Sequence, residues 1–235
     1  MSGSDAKVAM CKATIDDAGR LAALDKEVWA DAAASEEMFR ERLTNAPGCT
    51  VIAVDESGTL CGSTSYCFLD YETYETAGRC SWYDLSGDGT ASTHEPKGRD
   101  LFGINLVVPS RAPRDTSTRL LLEVVRGGVR AGVQRGLLGA RLPGYSKRAG
   151  KMSAEEYAWA ERQGLPLDPE IRFYRKIGLR PIRLVENYFV DPESLDWGMI
   201  VEMKNPFYRP APMRLVGKAL AALPIDLAKV IDRLL

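Results

Sequence analysis

The chain has 235 residues, 31 of them basic and 32 acidic, and a formal net charge of -1. That balance carries no overall nucleic-acid signature, and the length suits one large domain, or one domain with additions, around a sizeable core. One histidine and five cysteines, scattered without CxxC or Cys/His spacing, argue against a metal centre and for buried, reduced thiols in a cytoplasmic protein. The start, MSGSDAKVAM, has no apolar leader core, and no apolar run reaches the ~20 residues of a membrane span.

In chain order, Lys7–Ala13 alternates as an opening strand, and Ile15–Ala33 carries Leu21, Leu24 and Val28 on one helical face. Thr14 is its expected N-cap, with Asp16 and Asp17 suited to the positive end of the helix. Ser35–Leu43 reads as a second helix capped by Ser35. Cys49–Val54 and Leu60–Leu69 read as a hairpin around Asp55-Glu56-Ser57-Gly58. Asp70 to Asp100 is a long polar excursion, either functional or disordered, that contains a tryptophan and the only histidine.

Leu101–Val108 is the best central strand. A helix from Thr116 to Gln134, a strand Leu137–Leu142 and an irregular stretch Pro143–Asp168 follow, the last with one short helix capped by Ser153. A helix Pro169–Ile177 is stopped by Gly178, and strands Arg180–Phe189 and Trp197–Met203 close the order β-α-α-β-β-β-α-β-α-β-β. The division is 1–206 for the domain and 207–235 for an amphipathic helical tail, whose second helix is expected to start at Pro224. The tail's apolar faces favour packing on the domain or on a second subunit, as in a homodimer, over a membrane surface or a carrier protein.

The turn RAPRDTSTR, Arg111–Arg119, lies between the best strand and the following helix. A basic turn opening a helix suits a phosphate, because its N–H groups and dipole favour an anion. Such turns usually use glycine, and this one has none before Gly127. Solvated surface charge is the alternative reading for Arg111 and Arg114.

The element order and two local patterns resemble the GNAT superfamily of N-acetyltransferases. The turn stands where that superfamily has Q/R-x-x-G-x-G/A on the pyrophosphate of coenzyme A, with Arg114, Ser117 and Arg119 at the matching positions. RFYRKIGLRP, Arg172–Pro181, resembles its F-Y-x-K-x-G-F helix, whose tyrosine often serves as general acid and corresponds to Tyr174. SWYDLSGDGTASTHEPKG, ARLPGYSKRAGKMSAEEY and the segment from Leu167 to Pro206 further resemble GNAT domains fused to bacterial carbon–nitrogen hydrolases, and GNAT-type loading domains of polyketide synthases. The family's turn glycines are replaced by Ser117 and Arg119. The histidine run associated with malonyl decarboxylation in the loading domains is replaced by Phe173-Tyr174-Arg175-Lys176-Ile177-Gly178, which argues for plain acyl transfer.

The resemblance implies an α/β protein of the GNAT fold: a central mixed, mostly antiparallel sheet flanked by helices, with the helical tail added. It implies an acyltransferase moving an acyl group from acyl-coenzyme A, or from the same arm on an acyl carrier protein, to a primary amine of a small molecule or peptide, as in specialised biosynthesis. The rivals are S-acyl transfer between coenzyme A and a carrier protein, and a non-catalytic acyl-coenzyme A-binding module. It implies a pyrophosphate site at Arg114, Asp115, Thr116, Ser117, Thr118 and Arg119, and a backbone oxyanion donor near Leu106, Val107 and Val108. Thr116 or Ser117 also offers a cap and a hydroxyl.

Tyr174 suits the acid role, since a phenol near pKa 10 can protonate a thiolate near 8.5. His94 is the candidate base, with Glu95 and Asp100 beside it, a structural turn at Thr93–Pro96 as an equal reading, and an ordered water as the third route. Trp82, Thr93, Tyr145 and Tyr188 are the candidate substrate contacts, with ordinary burial as the alternative for the aromatics.

Overall fold

The structure is a computed structural model and describes residues 8–234; Lys7, the first residue of the expected opening strand, lies outside them. Strand β1 (Ala9–Lys12) leads into a single 3-10 turn and helix α1 (Ala18–Trp29). Asp17 accepts from the Thr14 backbone N–H at 2.9 Å, so Thr14 caps that turn rather than α1 itself. Helix α2 (Glu36–Asn45) starts at Ser35, whose hydroxyl accepts from the Met38 N–H at 3.1 Å. Strands β2 (Thr50–Val54) and β3 (Leu60–Leu69) form the expected hairpin.

The long excursion is ordered. It folds into α3 (Tyr71–Thr76), α4 (Trp82–Ser86) and a wide turn over Gly87–Ala91. Ser81 caps α4 by exchanging hydrogen bonds with Asp84. Then come β4 (Asp100–Val107), α5 (Thr116–Ala131), β5 (Arg135–Arg141), α6 (Ala154–Trp159), a two-stranded ribbon of β6 (Glu161–Arg162) and β7 (Leu165–Pro166), α7 (Pro169–Lys176), β8 (Arg180–Val185) and β9 (Gly198–Lys204).

Seven strands form one sheet in the order β1-β2-β3-β4-β5-β9-β8. Every pairing in it is antiparallel except β4 with β5. The parallel exception follows from the chain: β4 reaches β5 through the crossover helix α5, which a hairpin turn could not supply. Helix α5 buries Leu120, Leu121, Val124, Gly128 and Val129 at helical spacing, and ends where Gly132 adopts φ 76° and returns its N–H to Gly128. Gly178, expected to stop α7, does so at φ 92°.

The two faces of the sheet carry different cores. Met199, Val201 and Met203 of β9 pack with Val129 of α5 and Ile171 of α7, whereas Ile200 between them packs with Tyr188. That alternation is the strand period of two. Helices α1 and α2 contribute Leu21, Leu24, Phe39 and Leu43 to a third cluster with Ile52 and Val107.

The tail folds as α8 (Ala211–Ala222) and α9 (Leu227–Leu234), and both pack on α5. It shares a core with the domain, since Phe207, Ala221, Leu227 and Ile231 lie in the cluster that holds Val129 and Met203. The second helix starts at Leu227 instead of Pro224. Arg126 of α5 takes the carbonyls of Leu223 and Ile225 at 3.2 and 3.0 Å, which keeps the link between the helices extended. Among the cysteines, four are buried and free as expected, but Cys11 is exposed on the edge strand β1.

Candidate active site

The site grows from a fork in the sheet. Strands β4 and β5 pair only over Asp100–Phe102 and Arg135–Leu137, then part. On its other side β4 keeps its pairing with β3, but the register slips between Ser65 and Tyr66, which leaves Ile104 as an extra residue. This bulge re-aims the strand beside the opening. Asn105 locks it by accepting from the Ser65 N–H through Oδ1 at 2.9 Å, and from the Thr64 hydroxyl through its carbonyl at 2.8 Å. Leu138 fills the base of the fork: a Cβ on Gly103 would meet its methyl at 2.0 Å.

Trp82 forms one wall. Its indole N–H donates to the Ile104 carbonyl at 2.8 Å and its backbone N–H to the Tyr188 carbonyl at 2.8 Å. Phe189 meets it edge-on at 5.3 Å and stacks on Tyr83 at 5.9 Å. Tyr188 is buried and lies across β9 and β5, with its ring over Gly198 and its hydroxyl over Gly139. A Cβ on Gly139 would stand 1.6 Å from that hydroxyl. The hydroxyl is buried without a hydrogen-bond partner, and burial raises the phenol's pKa well above its usual value.

Tyr174 comes from α7. Pro169 occupies the first turn of this helix, and buried Asp168 caps it by accepting from the N–H groups of Glu170 and Ile171 at 2.8 and 3.2 Å. The Tyr174 side chain is half-buried, and among the described residues nothing hydrogen-bonds its hydroxyl. Burial raises its pKa above the usual phenol range, the charge of Glu170 adds to the rise, and Arg141 opposes it.

Glu170, one helical turn before Tyr174, was not singled out by sequence pattern. Its carboxylate accepts from the Arg141 N–H at 3.2 Å and stands 3.7 Å from the Arg141 guanidinium. Burial pushes its pKa up to about 7 against the pull of Arg141, with Asp168 and Asp191 adding to the rise. The available signal was its spacing of four residues before the motif tyrosine, which puts both on one helix face.

The start of α5 gives a mixed result. In its first turn the backbone N–H groups of Ser117 and Thr118 are free to meet an anion, whereas Thr116 donates to the Pro113 carbonyl at 3.1 Å and Arg119 to the Asp115 carbonyl at 2.9 Å. Leu106 and Val108 are half-buried beside the opening and Val107 is fully buried. Thr116 is also fully buried, its methyl against Gly62 and its hydroxyl without a partner, so it offers no outward hydroxyl. Asp115 sits at the N-cap position, exposed and without a side-chain cap bond.

Arg119, expected at the anion, instead donates to the Val8 carbonyl at 2.6 Å and stands 3.9 Å from Asp115. Arg111 is held by Glu27 of α1 through contacts of 3.0 and 2.9 Å. Arg114 is exposed and, among the described residues, makes no ion pair or hydrogen bond. Ser117 is half-buried and Thr118 exposed.

Three expectations move elsewhere. The Nδ1 of His94 accepts from the Phe68 N–H at 3.1 Å, and the Glu95 N–H donates to the Phe68 carbonyl at 2.8 Å. The imidazole thus takes a strand's place on the edge of β3 away from β4, at the level where β4 and β5 are still paired. It stands outside the fork, and its free acceptor nitrogen is already used, so the structural turn is the better account of this segment. Thr93 donates to the Leu85 carbonyl at 2.8 Å and serves the same turn. Asp100 is fully buried and holds Tyr71, Gln134 and Arg135. Tyr145 is buried 5.5 Å from the ring of Tyr157, whose hydroxyl donates to Asp168, so it supports the cap of α7 from behind.

His94→Ala is expected to destabilise the fold by about 1 kcal/mol in urea unfolding at pH 7.5, since it orphans the Phe68 N–H. Burial lowers the imidazole's pKa from 6.5. Its contribution is therefore complete above that value and is lost as pH falls below it, and the gap between variant and parent should narrow toward pH 5.5.

No family model matches the chain. An uncharacterized N-acetyltransferase of Bacillus subtilis, YkwB, is 29% identical over 178 residues, covering 75% of this chain and 77% of that one. A probable hydrolase of the same organism, YhcX, is 26% identical over 175 residues, or 74% of this chain and only 33% of the hydrolase. Among solved structures, the GphF GNAT-like decarboxylase in complex with isobutyryl-CoA superposes with TM-score 0.68 at 25% identity, over 83% of this chain and 97% of that one. The loading GNATL domain of CurA from Lyngbya majuscula superposes with TM-score 0.73 at 19% identity, over 84% of this chain and 98% of that one. The forked sheet, the helix that opens at the fork and the tyrosine on α7 agree with these likenesses: the chain has the GNAT fold and is similar to N-acetyltransferases of that family.

Proposed function

We propose that this chain moves an acyl group from a phosphopantetheine thioester to a primary amine. The observation that carries the reading is the fork between β4 and β5, with α5 packed against β4 and α7, which carries Tyr174, packed against β5. An extended pantetheine arm can pair with the backbone that β4 leaves unpartnered there. The exposed first turn of α5 and Arg114 suit the pyrophosphate. A β4 N–H near Leu106–Val108 suits the oxyanion; Pro109, which has no N–H, does not. Tyr174 is read as the acid for the leaving thiolate, and Trp82 and Tyr188 as walls for the acyl group and acceptor.

Arg114 is then the main side-chain cation for the donor. Arg114→Ala is expected to raise KM for acyl-coenzyme A about fivefold with kcat unchanged, and the effect should shrink with salt. The donor is read as coenzyme A or an acyl carrier protein. The turn without glycine suits a protein carrier, since it wraps a free coenzyme less closely. Purified protein mixed with paired acyl-coenzyme A and acyl-carrier thioesters and a panel of amines, read by mass spectrometry, tests the function. Amide formation supports it. Transfer only to a carrier thiol supports S-acyl transfer, and no transfer at all supports a binding module. Strong preference for the free coenzyme removes the carrier-protein donor.

A further inference from the structure

We propose that Glu170 is the catalytic base: it takes the proton from the attacking ammonium and returns it to the phenolate that Tyr174 becomes. The inference rests on the acyl-transfer reading and supplies the base that His94, held outside the fork, does not. Glu170 and Tyr174 share one face of α7, a single turn apart, at the side of the fork where β5 ends in Arg141. The Glu170 side chain is a quarter exposed (25%), so one oxygen is pinned by the Arg141 N–H while the group still reaches solvent.

The surroundings suit a group that must both accept and give a proton. Arg141 is the cation that faces Glu170, and it is shared with Asp191 at 3.4 Å and Glu193 at 3.5 Å. Asp168 precedes Glu170 on the cap, and the phenols of Tyr174 and Tyr188 lie on the inner side. Burial is the main preference for the neutral acid; Arg141, shared with two other carboxylates, opposes it only in part, and the charges of Asp168 and Asp191 add to the rise. The resulting value near neutrality is where a base exchanges protons in both directions most readily.

The steps balance. The ammonium gives one proton to the Glu170 carboxylate, and the free amine forms the C–N bond to the thioester carbon. The tetrahedral adduct loses its second N–H proton to solvent. The C–S bond then breaks, and the thiolate takes the Tyr174 proton. The Tyr174 phenolate recovers a proton from Glu170. The products are an amide, a thiol and one proton released.

Two probe acceptors test this, both with acetyl-coenzyme A at pH 7. Propylamine is an ammonium there and needs the base; hydroxylamine is already unprotonated and does not. Glu170→Gln keeps an acceptor for the Arg141 N–H and is expected to slow propylamine acetylation about a hundredfold, with hydroxylamine acetylation within about threefold of the parent. The parent's kcat/KM for propylamine should fall on the acid side of about pH 7, and the variant should lose that limb. Equal slowing of both acceptors, or an unchanged acid limb, overturns the proposal and leaves Glu170 a support for Arg141. If the parent turns over neither probe nor any amine of the panel, the acyl-transfer reading falls, and the base with it.

Discussion

Tyr174→Phe is expected to lower kcat about a thousandfold while leaving the dissociation constant for the acyl donor unchanged. The ring of Tyr174 packs into the cluster around Ile171 and Leu179, and phenylalanine keeps that packing. Among the described residues its hydroxyl makes no hydrogen bond, so its removal costs no contact in the free protein. What disappears is a proton donor. Burial and the neighbouring Glu170 charge keep the phenol protonated at neutral pH, which is the state an acid needs. The check is steady-state kinetics beside calorimetric titration with the acyl donor. A thiophenyl ester donor sharpens it, because its thiolate leaves without protonation, and the defect should largely vanish with it. Loss of donor affinity in parallel with kcat would assign Tyr174 to packing instead.

Gly139→Ala is expected to destabilise the protein by about 3 kcal/mol and to abolish turnover, the largest stability effect of a single methyl in the sheet. The added carbon would stand 1.6 Å from the Tyr188 hydroxyl and 2.2 Å from its ring. The ring cannot retreat, since Gly198 beneath its other end is as close, at 2.2 Å. The coupling is testable as a double-mutant cycle. In a Tyr188→Ala background the same Gly139→Ala change should cost under about 1 kcal/mol, because the occupant is gone. Chemical denaturation of the four proteins measures it, and equal costs in both backgrounds would remove Tyr188 as the cause. Tyr188→Phe gives the complementary result: the lost hydroxyl has no partner to orphan, so stability should hold or rise slightly.

Where the sequence was readable, the cause was local. LFGINLVV announces a buried strand by composition, RAPRDTSTR a helix start by charge and hydroxyls, and RFYRKIGL a short helix stopped by glycine. Together these set the element order and hence the forked sheet. Local chemistry also found the caps at Ser35 and Ser153, each with an acidic first turn.

The misses are contacts between residues far apart in the chain. Whether Arg119 meets a phosphate or the Val8 carbonyl depends on where β1 lies, 111 positions away. The acceptor nitrogen of His94 is used up by a strand 26 positions earlier. Glu170 is ordinary as a letter in DPEIRFY; its raised proton affinity comes first from burial, opposed by Arg141 and helped by Asp168 and Asp191, and the fold delivers Arg141 and Asp191 from two other segments. Tyr188 reads in the sequence as a substrate contact or an ordinary buried aromatic, and what makes it distinctive is the pair of glycines under its ring, which no spacing in the sequence connects.

The imidazole on β3 also bears on an overhanging margin of the sheet. Strand β3 spans Leu60–Leu69, but its partner β2 stops opposite Ser65. The overhang, Cys67-Phe68-Leu69, is apolar and would otherwise present unpaired N–H and C=O groups on an open margin. Such a margin recruits strands from other molecules. The excursion supplies instead one aromatic nitrogen and one backbone N–H, at the two ladder positions of Phe68, without adding a strand that could be extended in turn. The only histidine of the sequence thus covers this stretch of the β3 margin, a role that an assay of turnover would not register.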